Sequence, residues 1–333
     1  MQIVSYPPAF VDGYLAEARR LLESGHVAEG DYFRGSAASY VPEMLSIPVS
    51  SGGAALFALL AYQREERGRR RAIVQSNTMR ALFTVPSLLG LTPIVVGSTY
   101  EDFMAMSPAA LERALEDEEA RREAVVLYSI IGGYLAPSFG RVVEICRRAE
   151  VPLIIDAAHG HYLDLTVAYP TSDIAYSFYA TKILPAGEGG LVTTANRERH
   201  EWVMRFLMYD RFRNELPVGI NMRAGELTAA FIHRLMTDGS VKEHFRTRRV
   251  EIATEYKQIC QQNGVRYLDP AGAADYNGYK LVVLDPVAEV RRLGTRLTAH
   301  EPTSGVFDTD VLGRPTSLPH WCPPTYPSLA PAR

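Results

Sequence analysis

Val151-Pro-Leu-Ile-Ile-Asp-Ala-Ala-His-Gly-His161, followed one strand later by Ser177-Phe-Tyr-Ala-Thr-Lys-Ile-Leu-Pro-Ala-Gly-Glu-Gly-Gly190, decides the architecture of this chain. The first segment is a short apolar run that stops at an acid. Asp173-Ile-Ala-Tyr-Ser-Phe178 repeats the texture, and Gly190–Thr194 repeats it again after a glycine-rich turn. Short apolar runs bounded by turn residues read as strands buried on both faces. Asp156 therefore closes one strand and Ser177 the next, at the sheet edge where open α/β folds place their ligands.

Working outward toward the amino terminus, the same alternation continues. Ser51-Gly-Gly-Ala-Ala opens a helix over Ala54–Gln63, and Ala72-Ile-Val-Gln75 is a short buried strand. Residues 78–90 read as helix, Pro93–Val96 as strand, Pro108–Glu119 as helix, Ala124–Tyr128 as strand and Phe139–Ala149 as helix. Residues 12–24 place Tyr14, Leu15, Ala18, Leu21 and Leu22 on one face of an opening amphipathic helix. Strands alternating with helices of this length predict a mostly parallel sheet covered on both sides. The expected fold is α/β, with a large domain over 1–235 and a small carboxy-terminal domain over 236–333. A helix-rich stretch at Val241–Gln262 and a strand at Tyr279–Leu284 are expected in the latter, and the opening helix is a candidate to pack on it.

Asp156, Ser177 and Lys182, in order on neighbouring strands, suit one kind of chemistry. A carboxylate keeps a heteroaromatic nitrogen protonated, so that the ring draws electrons from a bond to be broken. A lysine amine forms a Schiff base and later shuttles a proton. Hydroxyls and the N–H groups at helix starts hold a phosphate. These are the requirements of a pyridoxal 5'-phosphate site. Taken singly, each residue reads as a strand-end acid, a surface lysine or a flexible turn; the combination is what carries information.

Four motifs in order resemble the DegT/StrS family of pyridoxal-phosphate-dependent sugar aminotransferases, on the fold-type I architecture, over roughly residues 26–260. They are Ser51-Gly-Gly-Ala-Ala-Leu56, Asp156-Ala-Ala-His-Gly-His161, Ser177-Phe-Tyr-Ala-Thr-Lys182 with Gly187-Glu-Gly-Gly190, and Asn221-Met-Arg-Ala-Gly-Glu-Leu-Thr-Ala-Ala230. The resemblance implies that Lys182 is the Schiff-base lysine and that Asp156 pairs with the pyridinium nitrogen. It implies that Ser177, with the backbone amides near Gly53 and Ala54, holds the phosphate. Asn221 resembles an asparagine that reaches the phosphate in the partner subunit of a homodimer; it also reads as a helix N-cap, and the two roles are compatible.

Three departures from the family pattern bear on cofactor affinity. Gly53 stands where a phosphate-binding threonine is usual, removing a hydrogen bond to a charged group worth about 1.5–3 kcal/mol. Met79 replaces a stacking aromatic, leaving a sulfur–ring contact of about 0.3–1.5 kcal/mol, or else serves as core filler. His159 replaces a glutamine near the cofactor's phenolic oxygen and can still donate a hydrogen bond, or else is a satisfied core histidine. Arg211, Arg213 and Arg223 are candidate contacts for substrate carboxylate or diphosphate, with solvated surface as the alternative for the first two.

The implied activity is transfer of an amino group, from glutamate or glutamine, to a keto sugar or keto cyclitol. A lyase acting on a cyclic amino-ketone with the same cofactor, and a non-enzymatic regulator on the same fold, are the alternatives. The formal net charge of -3 gives no footprint for nucleic acid, and the run Arg64–Arg71 reads as a solvated helix end. The three cysteines, Cys146, Cys260 and Cys322, are too scattered for a disulfide framework or structural zinc. No apolar run is long enough to span a bilayer, and the opening residues do not read as a secretory signal, so a cytoplasmic enzyme without metal is expected.

Overall fold

The computed structural model describes residues 5–35, 44–169, 171–210, 213, 215–216 and 218–284. The strands are β1 (Leu45–Val49), β2 (Arg71–Gln75), β3 (Thr92–Val96), β4 (Ala124–Ser129), β5 (Tyr134–Leu135), β6 (Leu153–Asp156), β7 (Asp173–Ser177), β8 (Gly190–Thr194) and β9 (Asp275–Tyr276). The helices are α1 (Pro8–Ser24), α2 (Asp31–Gly35), α3 (Gly52–Glu65), α4 (Ala81–Leu88), α5 (Pro108–Ala114), α6 (Glu118–Glu123), α7 (Phe139–Arg148), α8 (Arg197–Phe206), α9 (Glu226–Thr237) and α10 (Gly239–Gln262). Among the described residues these build a seven-stranded sheet in the order β1-β8-β7-β6-β4-β2-β3 and a two-stranded pairing of β5 with β9. β7, β6, β4, β2 and β3 run parallel, while β8 is antiparallel to both β7 and β1. The mostly parallel sheet expected from the sequence is therefore present.

Strand periodicity explains why both faces of the sheet are apolar. Val126, Tyr128, Ile155 and Ile174 point into one buried cluster, together with Val142, Val143 and Cys146 of α7. The alternate residues Val125, Leu127, Ile154 and Ala175 point into the other, with Ala55, Leu59 and Tyr62 of α3. A period of two sends neighbouring side chains to opposite faces. α7 buries Phe139, Val142, Val143 and Cys146, the i, i+3, i+4, i+7 stripe of a helix lying on a sheet. α3 is buried nearly all round and starts at Ser51, whose Oγ accepts the Ala54 N–H at 3.1 Å.

Two expected elements differ from what is observed. Pro108–Glu119 is not one helix: α5 ends at Ala114, and Asp117 starts α6 by accepting the Ala120 N–H at 2.7 Å. An acid that caps a new helix stops the old one. Tyr279–Leu284 is not a strand, and in that stretch only Val283 forms a bridge, with Tyr267. The chain turns at Gly278, whose φ is +76°, and the Tyr279 N–H goes to the Asn277 side chain instead of a ladder. The short strand here is β9, which pairs with β5.

The opening helix α1 docks on α9. Tyr14 hydrogen-bonds the Leu227 carbonyl at 3.2 Å, and the Tyr14 and Phe10 rings meet Phe231 edge-on at 4.5 and 5.2 Å. Arg69, from the basic run, donates to the Arg121 carbonyl at the end of α6 and so serves structure. No helix among the described residues is long and apolar enough to cross a membrane. The tail beyond residue 284 lies outside the described residues.

The β5–β9 corner rests on a glycine. Gly133 has φ +84°, and a Cβ there would stand 1.9 Å from Oδ1 of Asn277. Gly133→Ala should therefore destabilise the fold by about 1–3 kcal/mol, seen as a lower denaturant midpoint. An unchanged midpoint would show that this corner is not packed as described.

Candidate active site

Asp156 ends β6 with its carboxylate buried. Oδ1 accepts the Ala158 N–H at 3.0 Å, and Oδ2 accepts the Ser129 hydroxyl at 3.3 Å from the neighbouring end of β4. Burial raises its pKa, opposed by the Ala158 amide, the charge of Lys182 and the Ser129 hydroxyl. A carboxylate held this way gains most from a cationic partner.

Lys182 reaches the same site by a tight return. β7 ends at Ser177, and the Lys182 N–H bonds the Tyr179 carbonyl at 2.8 Å in a turn closed by Ala180 N–H to Gly187 carbonyl, 2.9 Å. The side chain is 9% exposed. Burial brings its pKa down to about 8, Asp156 opposing and Lys280 adding to the shift. At pH 7 roughly a tenth of such an amine is neutral, far more than for an ordinary lysine.

The two histidines of the second motif do different work. His159 is buried and its Nδ1 accepts the Gly132 N–H at 3.2 Å, so the neutral ring carries its proton on Nε2. Burial, with the charges of Lys182, Lys280 and His161 adding, holds its pKa well below the usual value. His161 donates from Nε2 to the Ser177 carbonyl at 2.9 Å and stacks on Tyr176, fixing the end of β7. Burial takes it to about 4, so it is neutral too.

Ser177 faces the start of α3 at close range: a Cβ on Gly52 would stand 2.7 Å from the Ser177 Cβ. This approach is why a glycine opens the helix. The Ala54 N–H is occupied by Ser51, whereas the Gly53 N–H has no acceptor among the described residues and stays available at the helix start. Met79 is 38% exposed in the loop after β2, which excludes a role as core filler.

Two of the remaining sequence candidates, Asn221 and Arg223, flank the approach to α3, where the Ser50 N–H bonds the Met222 carbonyl at 2.8 Å and Arg223 bridges to Val49. Asn221 is exposed and does not cap α9, whose N-cap is Gly225; its Oδ1 accepts the Arg223 N–H at 3.4 Å. Arg223 is engaged by the Leu207 carbonyl at 2.9 Å and by Glu29 at 3.3 Å. Arg213 lines a separate depression with Arg34, His200, Glu201 and Met208, and Arg211 lies outside the described residues. Sequence reading missed Ser129, Asn277, Tyr279, Lys280 and Arg249. The last three gather beside Lys182, and Asn277 clamps the His159 loop through the His159 and His161 carbonyls at 2.7 and 2.8 Å.

These features define a fold-type I pyridoxal-phosphate architecture, and the residues fit the group: a buried strand-end acid, a neutralisable amine and a free N–H at a helix start. The sequence pattern of the DegT/DnrJ/EryC1/StrS aminotransferase family matches residues 11–301, and the chain belongs to that family. It is 26% identical over 202 residues to a Micromonospora echinospora protein provisionally assigned as an L-glutamine:3-amino-2,3-dideoxy-scyllo-inosose aminotransferase; the match covers 58% of this chain and 43% of that protein. The chain thus spans less than half the length of this curated relative. Among solved structures it is similar to Bacillus subtilis NtdA with bound cofactor PMP, with TM-score 0.73, 20% identity, and coverage of 97% of this chain and 74% of that one. It is also similar to S. venezuelae DesV in complex with a ketimine intermediate, with TM-score 0.72, 24% identity, and coverage of 87% and 78%.

The lysine's environment sets a pH signature. Capture of pyridoxal phosphate by cofactor-free protein should speed up as pH rises through a midpoint near 8, because only the neutral amine reacts. Asp156 supports the charged amine, so Asp156→Asn should move that midpoint lower. Stopped-flow rates across pH 6–10 check both; a midpoint near 10.5, the ordinary lysine value, would contradict the burial argument.

Proposed function

We propose that the protein is a pyridoxal-phosphate-dependent aminotransferase that moves an amino group from glutamate or glutamine to a keto sugar or keto cyclitol. The observation that carries this reading is the convergence of Asp156 and Lys182 in one buried site, the amine brought down to about 8. The curated relative's assignment, a glutamine-dependent cyclitol aminotransferase, supports the substrate class.

When bound, pyridoxal phosphate supplies an electron sink for the carbon that loses or gains a proton. Asp156 would hold the ring nitrogen protonated, its Oδ atoms already oriented by Ala158 and Ser129. Lys182 would hold the cofactor and, once released, take a proton on Nζ from one carbon and return it to another. His159, whose Nδ1 is taken by the Gly132 N–H, would have its Nε2–H free to donate to the cofactor's phenolic oxygen. Ser177 and the Gly53 N–H would receive the phosphate, and the exposed Met79 would be available to contact the cofactor. We also read the enzyme as a homodimer in which the exposed Asn221 faces the partner's phosphate, and residues from 236 onward as a small second domain.

Lys182→Ala should abolish the cofactor's visible absorbance and cut turnover by about 10²–10⁴-fold or more, with the fold intact by circular dichroism. Neither glutamate nor glutamine driving release of the keto acid from the loaded parent enzyme would overturn the transferase reading. Gly53 is open to a side chain, since a Cβ there meets only Ser51 Oγ, at 3.7 Å. Gly53→Thr should therefore fit without strain and slow cofactor loss during dialysis against a carbonyl trap. Equal retention in parent and variant would mean that no phosphate lies at that helix start.

A further inference from the structure

The ring of Tyr279 organises a cluster of positive charge that the cofactor does not account for. It is 7% exposed and stacks near His159, ring centroids 4.5 Å apart. Around it stand Lys182 Nζ at 5.9 Å from the centroid, Arg249 Cζ at 5.5 Å and Lys280 Nζ at 5.4 Å. The phenol ring softens this convergence but does not neutralise it. Among the described residues, no carboxylate lies within ion-pair distance of Arg249 or Lys280. Among the described residues Arg249 hydrogen-bonds only the carbonyls of Thr181 and Lys182, both from Nη2 at 3.4 Å, which leaves most of its donors uncommitted.

Partly buried like charges oppose one another. The pKa of Lys280 is lowered by burial and then by Arg249, and that of Arg249 is lowered by burial. Folding tolerates such a group when an anion completes it. The position says which anion. Arg249 bonds the carbonyl of Lys182 itself, so the uncommitted donors border the residue whose amine exchanges with the substrate nitrogen. An amino acid carries its carboxylate on the same carbon as that nitrogen, and a planar two-oxygen anion suits a guanidinium fork.

We propose that Arg249 and Lys280, placed around Tyr279, form the subsite that binds the α-carboxylate of the amino-acid donor. This rests on the aminotransferase reading above. It assigns to the segment after α9 the task of recognising the donor, while β6, β7 and α3 hold the cofactor. The subsite also orients the donor, since a carboxylate fixed there leaves the neighbouring C–H free to face Lys182.

The test uses the cofactor-loaded enzyme and two measurements. Titration calorimetry with glutarate, a dicarboxylate that cannot transaminate, should give saturable binding that weakens at least tenfold in Lys280→Gln and in Arg249→Ala. Arg249→Lys, which keeps the charge, should recover part of it and guards against a loss of folding in the alanine variant. The donor half-reaction with L-glutamate should show half-saturation raised tenfold or more in Lys280→Gln, with its limiting rate changed less. Separately, in cofactor-free protein, Lys280→Gln should raise the Lys182 midpoint, because Lys280 depresses it. Glutarate binding that is absent in the parent, or equal in parent and variants, overturns the subsite. Inorganic phosphate competing as well as glutarate also overturns it, by assigning these residues to a phosphate. A parent enzyme that binds glutarate but releases no keto acid would sink the transferase reading while the calorimetry still decides the subsite.

Discussion

The Asn277 carboxamide donates both of its N–H bonds to the carbonyls of His159 and His161 and accepts the Tyr279 N–H at 3.1 Å. Its side chain is 1% exposed, so each of these partners would be left without water if the amide were lost. It therefore binds three backbone segments at once: the loop after β6, the turn at Gly278, and, through the Asn277 N–H to the Gly133 carbonyl at 3.1 Å, the corner before β5. Tyr134 continues the clamp by receiving the Val282 N–H on its hydroxyl at 3.1 Å. The Asn277 side chain thus ties the His159 loop to the turn that carries Tyr279 and Lys280 beside Lys182.

The clamp sits among groups whose charges are held away from water. Burial pushes Asp156 up and Lys182 down, so each is drawn toward its neutral form. The protein counters this for the acid by placing an amide and a hydroxyl on its oxygens, and leaves the amine less supported. The asymmetry suits the roles proposed for them, an acid that stays charged and an amine that changes protonation state.

Asp156, Ser177 and Lys182 were legible in the sequence because strand ends and a glycine turn encode their position locally. That β7, β6, β4 and β2 run parallel follows from the same alternation, whereas their order in the sheet does not. Asn277 was not legible, since its partners lie more than a hundred residues away and no local pattern marks a clamp. Tyr279 and Lys280 sat inside an apolar stretch that reads as a strand; the positive φ of Gly278 and the side-chain bond to Tyr279 redirect it. Arg249 belongs to a charged helix, where one more arginine carries no signal. Ser129 ends a buried strand, and only its register with Asp156 gives it meaning.

The buried, neutral His159 and His161 have a consequence for how the molecule meets acid. In the unfolded chain each takes up a proton near pH 6.5, whereas in the fold His161 does so only near 4 and His159 also well below its usual value. The unfolded state therefore binds more protons than the native one throughout that interval. Native stability contributed by these rings is complete above about pH 6.5 and drains away as the medium is acidified toward 4. One of them carries the end of β7 on its Nε2, and the other is held by the Gly132 amide beside Asp156. Protonation of two rings thus links the stability of the fold, through the ends of β6 and β7 that they adjoin, to the acidity of its surroundings.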